Sequence, residues 1–195
     1  MKGGRERAMK DYPLAKVFQL LEPGPTVLVT TALAGRANVM TMSWHMMMEF
    51  EPPLIGCVLS GANHSFAALL QTGECVIALP DVGLARQVVD IGNCSGRDVD
   101  KFASIGLTSL PAARVQAPLV AECFANLECR VADTTLVEQY NFFVLEVLQA
   151  WRTPALMGPD LRAPKTIHHV GDGTFRVAGQ TLNLKSRMVK WPQFV

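Results

Sequence analysis

One short segment between a predicted strand and a predicted helix has the residue types that bind phosphate. It reads Ser60-Gly61-Ala62-Asn63-His64-Ser65-Phe66. The free N–H groups at a helix N-terminus carry partial positive charge and suit an anion, and the Asn and Ser side chains add donors. Because Asn and Ser are also ordinary helix caps, the segment alone predicts either a phosphate site or a plain helix start.

A second segment, Asn38 to Trp44, alternates polar and apolar residues. In a half-buried strand, alternate side chains face opposite sides of the sheet. One set comprises Asn38, Met40, Met42 and Trp44, and the other comprises Val39, Thr41 and Ser43. Hydroxyls and free peptide groups at a strand edge can hydrogen-bond the rim of a planar polar ring, which Met and Trp can support from its face. An ordinary strand that carries Thr and Ser has the same pattern.

The third segment, Asn93 to Phe102, contains a glycine turn and two cations before a predicted helix start at Asp98 to Lys101. Arg97 and Lys101 are about one helical turn apart, so both can reach one anionic group. The alternative is a surface ion-pair cluster with the neighbouring aspartates, which is common and contributes little.

Together the three segments predict a planar cofactor that ends in an anionic group. The chain has no GxGxxG, GxxxxGK[ST], GxSxG or HExxH motif, and nothing resembles a nucleophile paired with its base. An enzyme without such groups commonly leaves the chemistry to a cofactor.

Antiparallel strands are expected to position these segments. The run Thr26 to Leu33 predicts a strand, and the next extended run begins at Asn38, so the short link forces a hairpin. We also expect a helix over HSFAALLQTG, from His64 to a glycine cap at Gly73, and a closing hairpin of Phe175–Val177 with Thr181–Leu184. Further strands are predicted at 54–59, 74–79, 126–132 and 142–151, with a helix at 82–91. This order is typical of a small closed or nearly closed antiparallel barrel.

Composition excludes several classes of function. The formal net charge is +1, from 18 basic and 17 acidic residues, so no footprint for nucleic acid or an anionic membrane is visible. Residues 1–12 are basic but no apolar signal-peptide core follows, so we expect a flexible tail on a single domain, 1–195, in the cytoplasm. The five cysteines have no CxxC spacing, which predicts reduced thiols rather than disulfides or zinc.

The chain is more apolar than one small core requires, with 49% hydrophobic residues and a mean hydropathy of +0.21. Such a surplus predicts either a subunit interface or a cofactor cleft.

At these same segments the chain resembles the flavin reductase-like family, the FMN-binding split barrels that include flavoredoxins. The hairpin VLVTTALAGRANVMTMSW with the following PPL carries the resemblance, and SGRDVDKFASIGLT is similar to the flavoredoxin branch. The likeness runs from about Pro25 to Glu128 and continues loosely through Tyr140-Asn141-Phe142 to a C-terminal hairpin near His169-Val170-Gly171. It implies a mainly β, six-stranded antiparallel split β-barrel with short peripheral helices, and a homodimer that binds FMN near the subunit interface.

The resemblance also implies which residues hold FMN. The residues expected along the isoalloxazine and ribityl chain are Asn38, Val39, Met40, Thr41, Ser43 and Trp44. Those expected at the ribityl and phosphate are Ser60, Asn63, His64 and Ser65. Those expected to close over the cofactor are Ser95, Arg97, Lys101 and Phe102.

The implied activity is an oxidoreductase that takes electrons from NAD(P)H or a redox protein and passes them through FMN. Two alternatives remain at this point: a flavin-binding protein or electron carrier without turnover, and a haem-handling or pyridoxamine-phosphate-oxidase-like split barrel. Haem would need an axial ligand such as His45 or His64. The sequence assigns no role to His168 and His169.

Overall fold

The computed structural model describes residues 24–153, 164–182, 184 and 187. The expected tail, residues 1–12, lies outside them. The strands are β1 Val27–Leu33, β2 Arg36–Met42, β3 His45–Phe50, β4 Pro53–Val58, β5 Glu74–Leu79, β6 Ser109–Leu110, β7 Leu119–Val120, β8 Ala125–Asp133, β9 Phe142–Arg152, β10 Ile167–Gly171 and β11 Thr174–Val177. The helices are α1 His64–Thr72, α2 Ala85–Asn93, α3 Lys101–Ile105 and α4 Val137–Tyr140.

Seven of these strands form one antiparallel sheet in the order β2-β1-β5-β8-β9-β4-β3. Strands β2 and β3 are separated in the chain only by Ser43 and Trp44, yet they form opposite edges of the sheet. The sheet must therefore curl until its two edges meet, which gives a barrel that is split between β2 and β3. The expected mainly β split barrel is confirmed.

The expected number of strands was wrong, because the sheet has seven strands and not six. The additional strand is β3, whose sequence HMMMEF contains no β-branched residue. Its propensity for strand is therefore weak, and pairing with β4, from His45 opposite Cys57 to Phe50 opposite Pro53, holds it in place.

The strand expected to pair with Phe175–Val177 in the closing hairpin was also wrong. Phe175–Val177 lies in β11, which pairs with β10, with His169 opposite Phe175, and not with the described residues Thr181, Leu182 and Leu184. The turn contains Asp172 and Gly173 with φ values of 52° and 68°. Two consecutive positive φ values are typical of the tight Asp-Gly hairpin turn, which fixes the pairing one strand earlier than expected.

The core has two parts, one on each side of β1 and β2. Inside the barrel, Val27 and Val29 pack with Met40, Met42 and residues of the other strands. On the outside, Leu28 and Val39 pack against α2 and α3. Since both faces of these two strands are buried, the hairpin is held firmly and can present its ends to a site.

Helix α1 has the boundaries that its sequence predicts. Gly73 adopts the left-handed conformation at the C-terminus, with φ 69°, and its N–H donates to Leu69 O at 2.9 Å. This is the usual glycine cap. At its other end, α1 begins at His64, directly after the Ser60-Gly61-Ala62-Asn63 turn.

Candidate functional site

The free edge of β2 and the N-terminus of α1 meet at one pair of side chains. Asn38 Nδ2 donates to Ser65 Oγ at 2.8 Å, although the two residues are 27 positions apart. Both side chains are buried. β2 is the terminal strand of its sheet, so the backbone groups on its outer edge are not paired with another strand of that sheet among the described residues.

The remaining polar atom of Asn38 has no partner. Oδ1 is buried without a hydrogen bond, and the residue is 6% exposed. A buried acceptor left unpaired costs about 1–3 kcal/mol, so its presence indicates a ligand contact or a bound water. Thr26 Oγ1 has the same property.

The loop after α2 closes against this junction. A Cβ built on Gly96 would overlap Asn38 Oδ1 and would lie 2.9 Å from His64 Cδ2. Only glycine therefore allows the backbone to approach β2 and α1 so closely. Ser95 keeps the loop compact, since its Oγ accepts from Arg97 N at 3.2 Å.

Helix α1 leaves its N-terminus available. Asn63 has the extended conformation of a capping residue, with φ −72° and ψ 137°, but its side chain makes no capping hydrogen bond. The helix has no acidic residue in its first turn. The N–H groups there keep their partial positive charge for another acceptor.

Lys101 provides a buried cation at the same place. Its side chain is 5% exposed, and Nζ donates to Ile91 O at 2.8 Å, near the C-terminal end of α2. Burial lowers the pKa of the Lys101 amine, while the neighbouring Cys94 acts in the opposite direction. Among the described residues that line the cleft, none is acidic, so the ammonium has no carboxylate partner there.

These groups surround a cleft of about 140 Å³. The lining residues that carry polar side chains are Asn38, Thr41, Asn63, His64, Ser65, Cys94, Ser95 and Lys101. A larger cleft of about 360 Å³ adjoins it and shares Thr41 and Gly92. A third of about 170 Å³ shares Asn38, His64 and Gly96. The three form one groove along β2.

The structure brings most of the expected binding residues to this groove. Its central cleft contains Asn38, Met40, Thr41, Asn63, His64, Ser65, Ser95 and Lys101, and the larger cleft adds Ser43. Thr41 Oγ1 donates to Val88 O at 2.6 Å, so it also fastens β2 to α2.

Five expected residues line none of the three clefts. Val39 and Phe102 have their side chains in the outer core, where they pack with Val88 and Ile91. Trp44 is 58% exposed at the crossover between β2 and β3. Ser60 and Arg97 are also exposed.

Sequence reasoning missed other residues of the groove. Gly92 and Cys94 also line it. Helix α2 continues to Asn93, whereas the expected helix ended at residue 91. Thr26, His169 and Phe175 line the larger cleft, and the His169 and Phe175 rings lie 5.1 Å apart. No local pattern indicated His169 and Phe175, because the β10–β11 hairpin is far from the other segments in sequence. Thr26 was expected only as part of the first strand.

The sequence profile of the family described as "Flavin reductase like domain" matches residues 21–162. This range covers most of the chain and includes both the β2 edge and the α1 turn. The chain belongs to the flavin reductase-like family. The resemblance that its motifs suggested is therefore confirmed.

Two relatives match most of the length of this chain. The Escherichia coli K12 protein YddH is 33% identical over 171 residues, which cover 83% of this chain and 90% of YddH. A protein of Archaeoglobus fulgidus is 29% identical over 157 residues, which cover 80% of this chain and 88% of that protein.

Solved structures of flavin reductase-like proteins have the same fold. An FMN-binding domain of a flavin reductase-like enzyme from Shewanella baltica has a TM-score of 0.76 at 29% identity, over 88% of this chain and 95% of that one. Flavoredoxin from Methanosarcina acetivorans has a TM-score of 0.78 at 22% identity, over 96% and 100% of the two chains. At this lower identity, the similarity to the Methanosarcina flavoredoxin shows a shared fold and nothing more.

Within the part of the chain that the structure describes, no helix has the length and apolar character needed to cross a membrane.

Proposed function

We propose that the protein is an FMN-dependent oxidoreductase of the flavin reductase type, with FMN held in the groove along β2. The observation that carries this proposal is the Asn38–Ser65 hydrogen bond of 2.8 Å, which joins the β2 edge to the α1 N-terminus. One ligand lying along the groove would therefore contact both elements, and FMN has a polar ring at one end and a phosphate at the other.

The residues present suit such a ligand. Asn38 Oδ1 and Thr26 Oγ1 are buried polar atoms without partners, and they belong to adjoining clefts. Lys101 and the α1 N-terminus offer positive charge, and the central cleft has no acidic side chain among the described residues. A dianionic phosphate suits that electrostatic environment.

The chain's own residues would bind and orient the cofactor rather than transfer protons. FMN supplies the two-electron chemistry at its ring when it is bound. The β2 edge offers backbone donors and acceptors, and Met40 contributes an apolar surface beside them. The electron donor would be NAD(P)H or a redox protein. The alternative is an electron carrier or flavin-binding protein that has no turnover with nicotinamides.

An anaerobic titration separates these two functions. We expect the FMN-loaded protein to lose its flavin absorbance on addition of NADH or NADPH. If neither nicotinamide bleaches it but dithionite does, the protein is an electron carrier. If the protein does not bind FMN, both proposals fail.

We also propose that two copies of this chain associate through β3. This edge strand carries consecutive exposed apolar side chains, including Met46, Met47 and Phe50, which are 56%, 59% and 74% exposed. Behind them is an apolar cleft of about 290 Å³ at the barrel mouth. Exposed apolar patches of this kind mark interaction sites, and a two-fold symmetric pair would cover both copies with the same surface.

A further inference from the structure

The cysteines differ sharply in their access to solvent. Cys57, Cys75, Cys123 and Cys129 are buried, each at most 1% exposed, and Cys94 alone is partly exposed. All five cysteines of the sequence lie in the described residues. A reagent that meets the folded protein therefore finds one accessible thiol.

Three of the four buried thiols are also chemically suppressed. Burial raises the pKa of Cys57 and of Cys123 to about 12. The pKa of Cys75 is also raised, first by its hydrogen bond with Cys129 and then by burial. Because the thiolate is the nucleophile, such thiols react slowly.

Cys94 lies in the groove that we propose for FMN. It lines the central cleft together with Lys101, and its Sγ donates to Asp90 O at 3.3 Å. The ammonium of Lys101 and the thiol are close enough to interact electrostatically. Asn38 lines the same cleft, and its buried Oδ1 has no hydrogen-bond partner, which is an indication of a ligand there that does not depend on the thiol.

The charge of the cleft favours one class of reagent. Its described lining includes a buried ammonium and a helix N-terminus but no acidic side chain. Small anionic disulfides, of which glutathione disulfide is one, are therefore attracted to the cleft in preference to neutral ones.

We propose that Cys94 is a modification site for small anionic disulfides, and that its modification and FMN binding exclude each other. The second clause rests on the proposed function. The Cys94 thiolate attacks one sulfur of the disulfide, a protein–reagent mixed disulfide forms, the original S–S bond breaks, and the other half leaves as a thiolate. No further oxidant is required. The bound half then occupies the groove.

Thiol counting in the folded protein tests the first clause. With the dianionic reagent 5,5′-dithiobis(2-nitrobenzoate) added to the FMN-free protein, we expect about one thiol per chain to react before unfolding and all five after it. The Cys94→Ser variant should show no fast native reaction, while its four remaining thiols appear on unfolding. A wild-type protein with no reactive thiol, or a variant that still reacts when folded, overturns the assignment.

The role of charge is tested by comparing that reagent with neutral 2,2′-dithiodipyridine. In Lys101→Met we expect the reaction with the anionic reagent to slow by about tenfold relative to the neutral one. The Lys101→Arg variant should restore the preference. Equal slowing with both reagents contradicts an electrostatic origin.

Competition is tested with glutathione disulfide, and the product is measured by mass spectrometry. Saturating FMN should slow glutathionylation of Cys94 by at least about tenfold, and the modified protein should fail to bind FMN in a visible-absorbance titration. If FMN binds but the labelling rate does not change, the competition is wrong and the proposed function stands. If FMN never binds while Cys94 is still labelled, the proposed function and the competition fail together, and the modification site stands.

Discussion

At the scale of single residues, Asn38 connects the two halves of the proposed site. Its Nδ2 is paired with Ser65, and its Oδ1 is buried and unpaired. A ligand that donates a hydrogen bond to Oδ1 would remove the free-energy cost of leaving this buried acceptor unpaired. Because such a contact is worth about 1–3 kcal/mol, Asn38→Ala should weaken FMN binding by about fivefold to 150-fold, as measured by quenching of flavin fluorescence.

Asn126 provides a matched control for that variant. It is equally buried, but both of its polar groups pair with the backbone of Val120, at 2.9 and 3.1 Å. Asn126→Ala should therefore lower the free energy of unfolding while the folded fraction binds FMN normally. Equal loss of FMN affinity in both variants would argue that Asn38 has only a structural role.

Lys101 predicts a pH dependence for FMN affinity. Burial lowers the pKa of its amine, so the charge is lost as pH rises, beginning below the ordinary lysine value of about 10.4. FMN affinity should therefore fall on the alkaline side in the wild-type protein. In Lys101→Arg it should stay level there, because the guanidinium remains charged. FMN titrations at several pH values measure the affinity of both proteins. A parallel decline in affinity in both would exclude this lysine as the cause.

At the scale of elements, the loop after α2 can close on β2 only because residue 96 is glycine. The Cβ in Gly96→Ala would overlap Asn38 Oδ1, so either the loop or the Asn38 side chain must move. We expect a loss of stability of about 1–3 kcal/mol together with weaker FMN binding.

Gly92 lines the same groove, but a Cβ there would meet Thr41 at an ordinary 3.9 Å. In a thermal melt, Gly92→Ala should therefore retain the wild-type midpoint or exceed it.

A second element-scale prediction concerns the segment before β7. The Glu128 carboxylate is fully buried and accepts hydrogen bonds from Ala113 N, Arg114 N and Trp151 Nε1. Burial alone would raise the pKa of Glu128, but the hydrogen bonds outweigh it and hold the pKa below its ordinary value. The stabilisation is thus present above the unfolded pKa of about 4.3. This stabilisation is lost as the pH falls through the pKa that Glu128 has in the folded protein.

Replacing this carboxylate should remove that pH dependence. We expect Glu128→Gln to lower the free energy of unfolding by about 1–3 kcal/mol at neutral pH, and by progressively less as the pH drops below 4.3. Urea unfolding at pH 7 and pH 3.5 measures the difference. A loss of the same size at both pH values would show that the charge is not responsible.

The elements also show what the sequence can and cannot predict. The β1–β2 hairpin and α1 follow from local signals, namely a short link and a terminal glycine, and they supply most of the site. The Asn38–Ser65 contact is long-range, so its atoms became known only from the fold. Val39 and Phe102 were expected to contact FMN, but their side chains are in the outer core, because the helices cover the outer face of β2. Strand β3 was missed because methionine signals strand weakly.

At the scale of the whole molecule, the split in the barrel leaves two unlike edges. Helices cover the outer face of β2, which lines the groove, whereas β3 presents exposed methionines. If β3 is a dimer interface, Met47→Glu should shift the protein toward monomer in light scattering after size-exclusion chromatography, because it buries a charge. Leu110→Glu changes an exposed leucine on β6 and should leave the dimer intact. A wild-type monomer would contradict this interface.

The central claim is that the β2 edge and the α1 N-terminus hold the two ends of one FMN molecule. Titration of the purified protein with FMN and with riboflavin, which lacks the phosphate, tests it most directly. We predict that FMN binds and that riboflavin binds at least about tenfold more weakly, because the helix N-terminus and Lys101 then have no anion to hold. A protein that binds neither compound, or binds both equally well, would contradict the account.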